Sequence, residues 1–291
     1  MTRLPAPATT LIATTLGCLP LLAWGECSDA GICRLASASP STGPHQTEPW
    51  LQVGLVASLA QGDKDSGVMY TTLTPQIAVR PYDGLQIALA VPFVSLDGDD
   101  GDASGVGDAV LTASQRIGSG AWGDWAIHVG ARIGTGDDNA NPGLPQAYQL
   151  GLGGTDFLIG LGWNRERFSA AVGYALAAGA NDLTGTELER GDDLALSFGY
   201  RHPLSDSWEA RARVVGIYRL AESTISDSGS GREAVSDSDG LQINIRAGLG
   251  FSPTAHLRVD FGAALPLLRR DSDVDGLTRA YAIEAGATIS W

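Results

Sequence analysis

The sequence predicts an all-β protein: a transmembrane antiparallel up-and-down β-barrel of about twelve strands. Three observations carry this expectation. After Trp50 the chain alternates apolar residues with small or polar ones, and a period of two places the two sets on opposite faces of a strand. The connections between the alternating segments are short and long in turn, as in outer-membrane barrels. The N-terminus has the character of an export signal.

Residues 1–25 contain one charged side chain, Arg3, and an apolar stretch from Leu11 to Trp24 broken by Thr14, Thr15 and Pro20. That stretch is shorter than the ~20 apolar residues a spanning helix needs. Ala23 and Gly25 supply small residues at the −3 and −1 positions of a cut before Glu26. The expected organisation is a signal peptide over 1–25, a periplasmic N-terminal arm or short plug over 26–49, and an outer-membrane barrel over 50–291 with both barrel ends on the periplasmic side. No later segment is apolar and long enough for a spanning helix, so membrane residence requires a closed barrel.

The formal charge is −14, with one lysine, Lys64, among 19 basic residues. Such acidity argues against a nucleic-acid partner, which needs a basic footprint. Cys27 and Cys33, six positions apart in the arm, are expected to form a disulfide in an oxidising periplasm. Two thiolates without clustered histidines are too few for a closed zinc site, and no cofactor is expected.

The last segment shows the alternation best. Tyr281, Ile283, Ala285, Ala287, Ile289 and Trp291 interleave with Ala282, Glu284, Gly286, Thr288 and Ser290. A helix would mix these two sets. The strand segments fall at roughly 50–59, 69–80, 84–94, 106–117, 123–134, 148–163, 167–177, 192–201, 207–220, 240–251, 255–265 and 279–291. Between them PYDG (81–84), GSGAWG (118–123), NRER (164–167), HPLSDS (202–207) and SPTA (252–255) are short, whereas 95–105, 135–147, 178–191, 221–239 and 266–278 are longer and acidic. Trp50, Trp125, Trp163, Phe168, Trp208, Phe251 and Trp291 fall at the short-turn ends, and Phe93, Tyr218 and Tyr281 at the long-loop ends. Two aromatic belts at two membrane interfaces have this pattern.

Parity then divides the charges. If the apolar set meets lipid, nine arginines land on the inward face: Arg80, Arg116, Arg132, Arg201, Arg211, Arg213, Arg219, Arg246 and Arg258. An arginine on the lipid face costs ~2–4 kcal/mol near the midplane, so this one-sided placement is what a membrane barrel requires. Parity alone also permits the inverse, a soluble sandwich with the apolar set inside; the export signal and the loop alternation decide for the membrane. The expected channel-lining residues are His128, Arg132, Asp156, Glu209, Arg211, Arg213, Arg246, Arg258 and Glu284. Inward glycines and alanines leave room for a pathway, and arginine–carboxylate pairs filling the interior are the alternative.

Catalytic signatures are sparse. The chain has neither HExxH nor GxSxG, and its GxG triplets do not extend to GxGxxG. A barrel phospholipase carries Ser and His on the outer face of one strand, whereas His128 belongs to the inward set. The run LDGDDGDASGVGD (96–108) gathers Asp97, Asp99, Asp100, Asp102 and Asp108. Hard cations take several carboxylates, but the spacing is not that of an EF-hand, and a solvated acidic loop is the simpler reading.

VPFVSL (91–96), GVGDAVLTASQRI (105–117), LGLGGTDFLIGLGW (150–163) and AAVGYAL (170–176) resemble the outer-membrane proteins grouped as the phenol-degradation meta-pathway family. Those are transporters distantly similar to FadL-type channels. The resemblance covers most of 50–291 and implies passive passage of a small hydrophobic or aromatic compound, without naming it. The short arm departs from the longer FadL-type plug. The alternative expectation is a filled structural or interaction barrel displaying acidic extracellular loops, and the remaining one is an outer-membrane lipid-modifying enzyme. Expected partners are outer-membrane lipid and lipopolysaccharide, a small-molecule solute, and the barrel-insertion machinery reading the terminal Trp291.

Overall fold

The alternating segments form one closed sheet. The computed structural model describes residues 49–62, 67–183, 185–227 and 231–291. The proposed signal peptide and the Cys27–Cys33 pair therefore lie outside the described residues. In chain order the strands are β1 (Leu51–Gly62), β2 (Met69–Tyr82), β3 (Leu85–Ala90), β4 (Phe93–Gly98), β5 (Gly101–Val106), β6 (Ala109–Gly118), β7 (Asp124–Ile133), β8 (Thr155–Arg165) and β9 (Phe168–Ala178). They continue as β10 (Ala180–Leu183), β11 (Thr186–Glu189), β12 (Asp193–Pro203), β13 (Trp208–Arg219), β14 (Thr224–Asp227), β15 (Arg232–Ala234), β16 (Gly240–Phe251), β17 (Leu257–Leu268) and β18 (Arg279–Ser290).

Each barrel strand pairs antiparallel with its sequence neighbours, and β1 pairs with both β2 and β18, which closes the cylinder. β3 and β4 pair with successive stretches of β2 and make one stave; β6 and β5 continue that pairing as the next. Twelve staves result. The interruption between β3 and β4 falls at Pro92, which has no N–H for the ladder; Gly107 N donates to the Pro92 carbonyl at 2.8 Å, so the neighbouring stave breaks at the same level. β10, β11, β14 and β15, from two long loops, build a separate four-stranded sheet beyond the barrel.

Burial settles the two possible inversions of parity. Leu55, Leu59, Ile77, Ile159, Phe261 and Ile283 are exposed, while Gln52, Ser58, Gln76, Asp156, Gln242 and Glu284 are buried. A closed barrel with an apolar exterior and a polar interior matches a membrane solvent. In water the same exterior would be a very large exposed apolar patch. The aromatic belt at the short-turn end is continuous in places: Trp208 stacks on Phe251 with centroids 4.6 Å apart, Phe168 lies 5.2 Å from Tyr200, and Trp125 lies 6.5 Å from Trp163.

Two expectations for the long-loop side are corrected. The segment 95–105 is no loop: β4 and β5 extend the hairpin, with Asp97 paired to Asp102. Alternation persists there, and a stave that has left the hydrocarbon tolerates acids. Conversely, 148–154 leaves the expected strand 148–163, and β8 begins at Thr155. Its sequence, YQLGLGG, keeps the alternation but contains Gly151, Gly153 and Gly154; Gly153 adopts φ +75°, in the left-handed region that favours glycine. The remaining expected segments match the staves to within a few residues at their ends.

Candidate functional site

The lumen is built in two unlike layers. Toward the long loops it is closed by chain that folds inward. A short 3-10 turn, Gln146–Tyr148, carries Ala147 and Tyr148 against the inward residues Ala60, Tyr70, Leu96 and Ala282 of β1, β2, β4 and β18. Tyr70 donates its hydroxyl proton to the Ala147 carbonyl. Asp108, at the break between β5 and β6, holds the start and end of this loop: it accepts from Gly136 N at 3.1 Å and Leu152 N at 2.9 Å.

Two ion networks brace the same layer. Arg132 bonds Asp108 and reaches Asp156 at 3.0 Å, and Arg190 reaches the same Asp156 oxygen at 2.9 Å. Arg219 contacts Asp193 at 3.0 Å and Asp275 at 2.7 Å, with Arg270 within 3.8 Å of Asp193. These side chains are almost wholly buried. Each network holds two cations and two anions, so the closed mouth is electrically balanced. Arg190, Arg270 and Asp275 sit in loops, where parity assigns no face; their role is legible only after the loops are seen to fold inward. In the loop 269–278, burial and the charge of Asp275 push the Asp273 carboxyl up to about 6. Although burial opposes it, Arg219, Arg270 and Arg190 hold Asp275 well below the usual carboxylate range.

Beside this mouth lies an apolar arc on the inward face: Val110, Leu158, Ala175, Ala195, Val215 and Ile217, from β6, β8, β9, β12 and β13. Toward the short-turn end the character changes. There the wall formed by β12 to β18 carries Arg201, Glu209, Arg211, Arg258 and Asp260 in one cluster. Arg211 bonds Asp260; Arg258 reaches Asp260 at 2.9 Å and Glu209 at 3.2 Å; Arg201 lies 3.4 Å from Glu209. Arg246 bonds Glu284 on β18. Arg213 donates to Ser197 Oγ and Ser169 Oγ at 3.5 Å.

Glycines make the beds for two of these guanidinium groups. A Cβ on Gly250 would meet Arg258 Nη2 at 2.2 Å, and one on Gly199 would lie 3.4 Å from Arg213 Nε. The cluster differs from the mouth in its access to solvent: the Arg201, Glu209 and Asp260 side chains are 26%, 18% and 14% exposed, against 1% for Arg219.

The opposite wall, β3 and β6 to β9, is small and mostly uncharged, with Ala88, Thr112, Gly130, Gly160 and Gly173 at inward positions. Here His128 sits opposite Ser114 in the β6–β7 ladder, with His128 Nδ1 2.7 Å from Ser114 Oγ. Among the described residues His128 Nε2 has no hydrogen-bond partner. Sequence reasoning missed Ser114 because the pair forms across strands. The contact lies inside the barrel, away from lipid. The expected lining set is thus divided: Arg132 and Asp156 brace the mouth, His128 lies on the small-residue wall, and Glu209, Arg211, Arg213, Arg246, Arg258 and Glu284 share the charged wall. The acidic run 96–108 does not converge, since Asp97 and Asp102 face outward on the hairpin while Asp108 turns to Arg132. Among the described residues no group of three or more His, Cys, Asp or Glu side chains is arranged to hold a metal ion.

A closed twelve-stave barrel with an apolar exterior and a polar lumen defines an outer-membrane β-barrel protein. Comparison with solved structures agrees. An outer membrane channel from Pseudomonas putida F1 matches with a TM-score of 0.67 at 14% identity, over 86% of this chain and 99% of that one. The NanC porin matches with a TM-score of 0.51 at 10% identity, over 82% of this chain and 100% of the porin. At these identities the likeness establishes the barrel fold. No family model and no curated protein matches the sequence.

Proposed function

We propose that the chain is a passive outer-membrane channel for a small molecule, with its short turns and both barrel ends on the periplasmic side. The observation that carries this reading is the solvent-accessible cluster of Arg201, Glu209, Arg211, Arg258 and Asp260 inside a closed barrel. Charged side chains that remain wetted within a cylinder imply a water-accessible lumen, and the facing wall of glycine and alanine leaves room beside them. His128, Arg132, Asp156, Arg213, Arg246 and Glu284 complete the proposed lining. Passage uses positioned polar groups and needs no covalent step. The resemblance to the meta-pathway family supports a solute with hydrophobic or aromatic character.

The inward loops favour a second reading, a filled barrel whose acidic loops meet a partner. Planar bilayers separate the two. The full chain, and a form lacking residues 26–49, should show conductance or solute flux above bare lipid. A silent barrel in both forms would leave the filled reading in place.

A further inference from the structure

The mouth networks are charge-balanced, but the wall below them is not. On β12 to β18 the inward face carries Arg201, Arg211, Arg213, Arg246 and Arg258. Against these five stand three acids, Glu209, Asp260 and Glu284, a surplus of 5 − 3 = 2 positive charges. The surplus is a property of the composition of the wall and holds whatever hydrogen bonds each guanidinium makes. It is opposite in sign to the chain as a whole, at −14. Fixed charge lining a cleft with low-dielectric walls focuses its field on the solute.

The same wall offers an apolar neighbour. β13 presents Arg211, Arg213, Val215 and Ile217 in one inward row. Successive members of such a row are about 7 Å apart along the strand. Val215 and Ile217 belong to the arc with Val110, Leu158, Ala175 and Ala195. Val215 and Ile217 are 0% exposed and Leu158 3%, so on this row the two arginines, and not the packed arc beside them, keep access to the lumen.

We propose that the lumen selects small organic anions of the carboxylate class over cations of like size. The proposal rests on the passage reading above and names the solute class of that same lumen. Arg211 and Arg213, on the surplus-positive wall, recognise the carboxylate.

The test uses proteoliposomes holding the full chain and three probes of like size: benzoate, benzyl alcohol and benzylammonium. Benzoate should enter about tenfold faster than benzylammonium at low salt, and the ratio should shrink toward one in 1 M salt, where the Debye length is ~3 Å. Arg211→Gln with Arg213→Gln should lower the ratio several-fold, while Arg213→Lys should retain it. The retention of a heat-modifiable electrophoretic band checks that each variant is folded; if the double variant fails that check, the salt dependence of the unsubstituted protein decides. Equal or faster entry of benzylammonium, or a ratio indifferent to salt, overturns the anion assignment and leaves passage standing if benzyl alcohol still enters. Failure of all three probes overturns both.

Discussion

Arg219 donates through Nε and Nη2 to both carboxylate oxygens of Asp193, its direct cross-strand partner, each at 3.0 Å. Asp275, from a loop on the far side of β17, lies 2.7 Å from the same guanidinium. One arginine therefore ties two barrel staves to an inward loop, in surroundings almost free of solvent. Removing one member of a buried ion group strands the others, at a cost of about 3–5 kcal/mol. Arg219→Leu should lower the unfolding midpoint in detergent accordingly, read as loss of the heat-modifiable band with temperature or urea. Arg232→Leu, which removes an exposed pair with Glu189 on the outer sheet, should change it by no more than about 1 kcal/mol. Equal effects would show that the mouth network contributes no special stability.

Asp273 provides a pH dependence of known sign. Its carboxyl is pushed up to about 6 from 3.8 by burial and by the neighbouring Asp275 charge. Between those two values the docked loop holds a proton that the released loop does not. The contribution of Asp273 to docking is thus greatest below about pH 4, falls as pH rises through 6, and is flat above that. Asp273→Asn keeps an oxygen to accept from Leu277 N and Thr278 N and removes the charge. The variant should be more stable than the parent at pH 7.5, and its advantage should disappear at pH 4. An advantage independent of pH would refute the assignment.

Where period two governs, the sequence was an accurate guide. Staves such as β13 and β16 could be read residue by residue because lipid enforces strict exclusion of charge from one face. The charged wall was legible for the same reason: Arg211, Arg213 and Glu209 share one parity on one strand. The mouth was not legible. Tyr148 continues the alternation of β8 in sequence, and only the glycines after it release the chain to turn inward. Arg190 pairs with Asp156 across 34 positions, a distance over which no local pattern operates. Ser114 and His128 likewise meet through the β6–β7 register, which is fixed by the whole hairpin.

Tyr148 should limit passage. Its ring lies in the mouth with Tyr70, Leu96 and Ala282, and it is 3% exposed. Tyr148→Ala removes that volume and loosens the 134–154 loop, at a stability cost of about 3–5 kcal/mol for a buried aromatic. Single-channel conductance in planar bilayers should rise relative to the parent. If stability falls while conductance is unchanged, the constriction lies elsewhere in the lumen.

Trp291 extends the barrel seam at its short-turn end. Its N–H donates to the Leu51 carbonyl at 3.0 Å, and its own carbonyl accepts from Trp50 N at 2.8 Å, so it adds two bonds at the end of the ladder that joins the last stave to the first. Its side chain is exposed and continues the outward row of Ile283, Ala285, Ala287 and Ile289. We propose that the exposed ring of this row and the seam bonds together assist insertion of the barrel. Deleting Trp291 removes both the ring and the seam bonds, whereas Trp50→Ala removes only a belt ring and leaves its backbone bond intact. Deletion should lower the amount of heat-modifiable protein recovered in outer membranes well below that of Trp50→Ala. Trp291→Phe separates the two contributions: it keeps the backbone seam and an aromatic end, so it should insert like the parent, whereas Trp291→Gly keeps the seam alone. Full insertion of the glycine variant would assign the role to the seam and none to the ring.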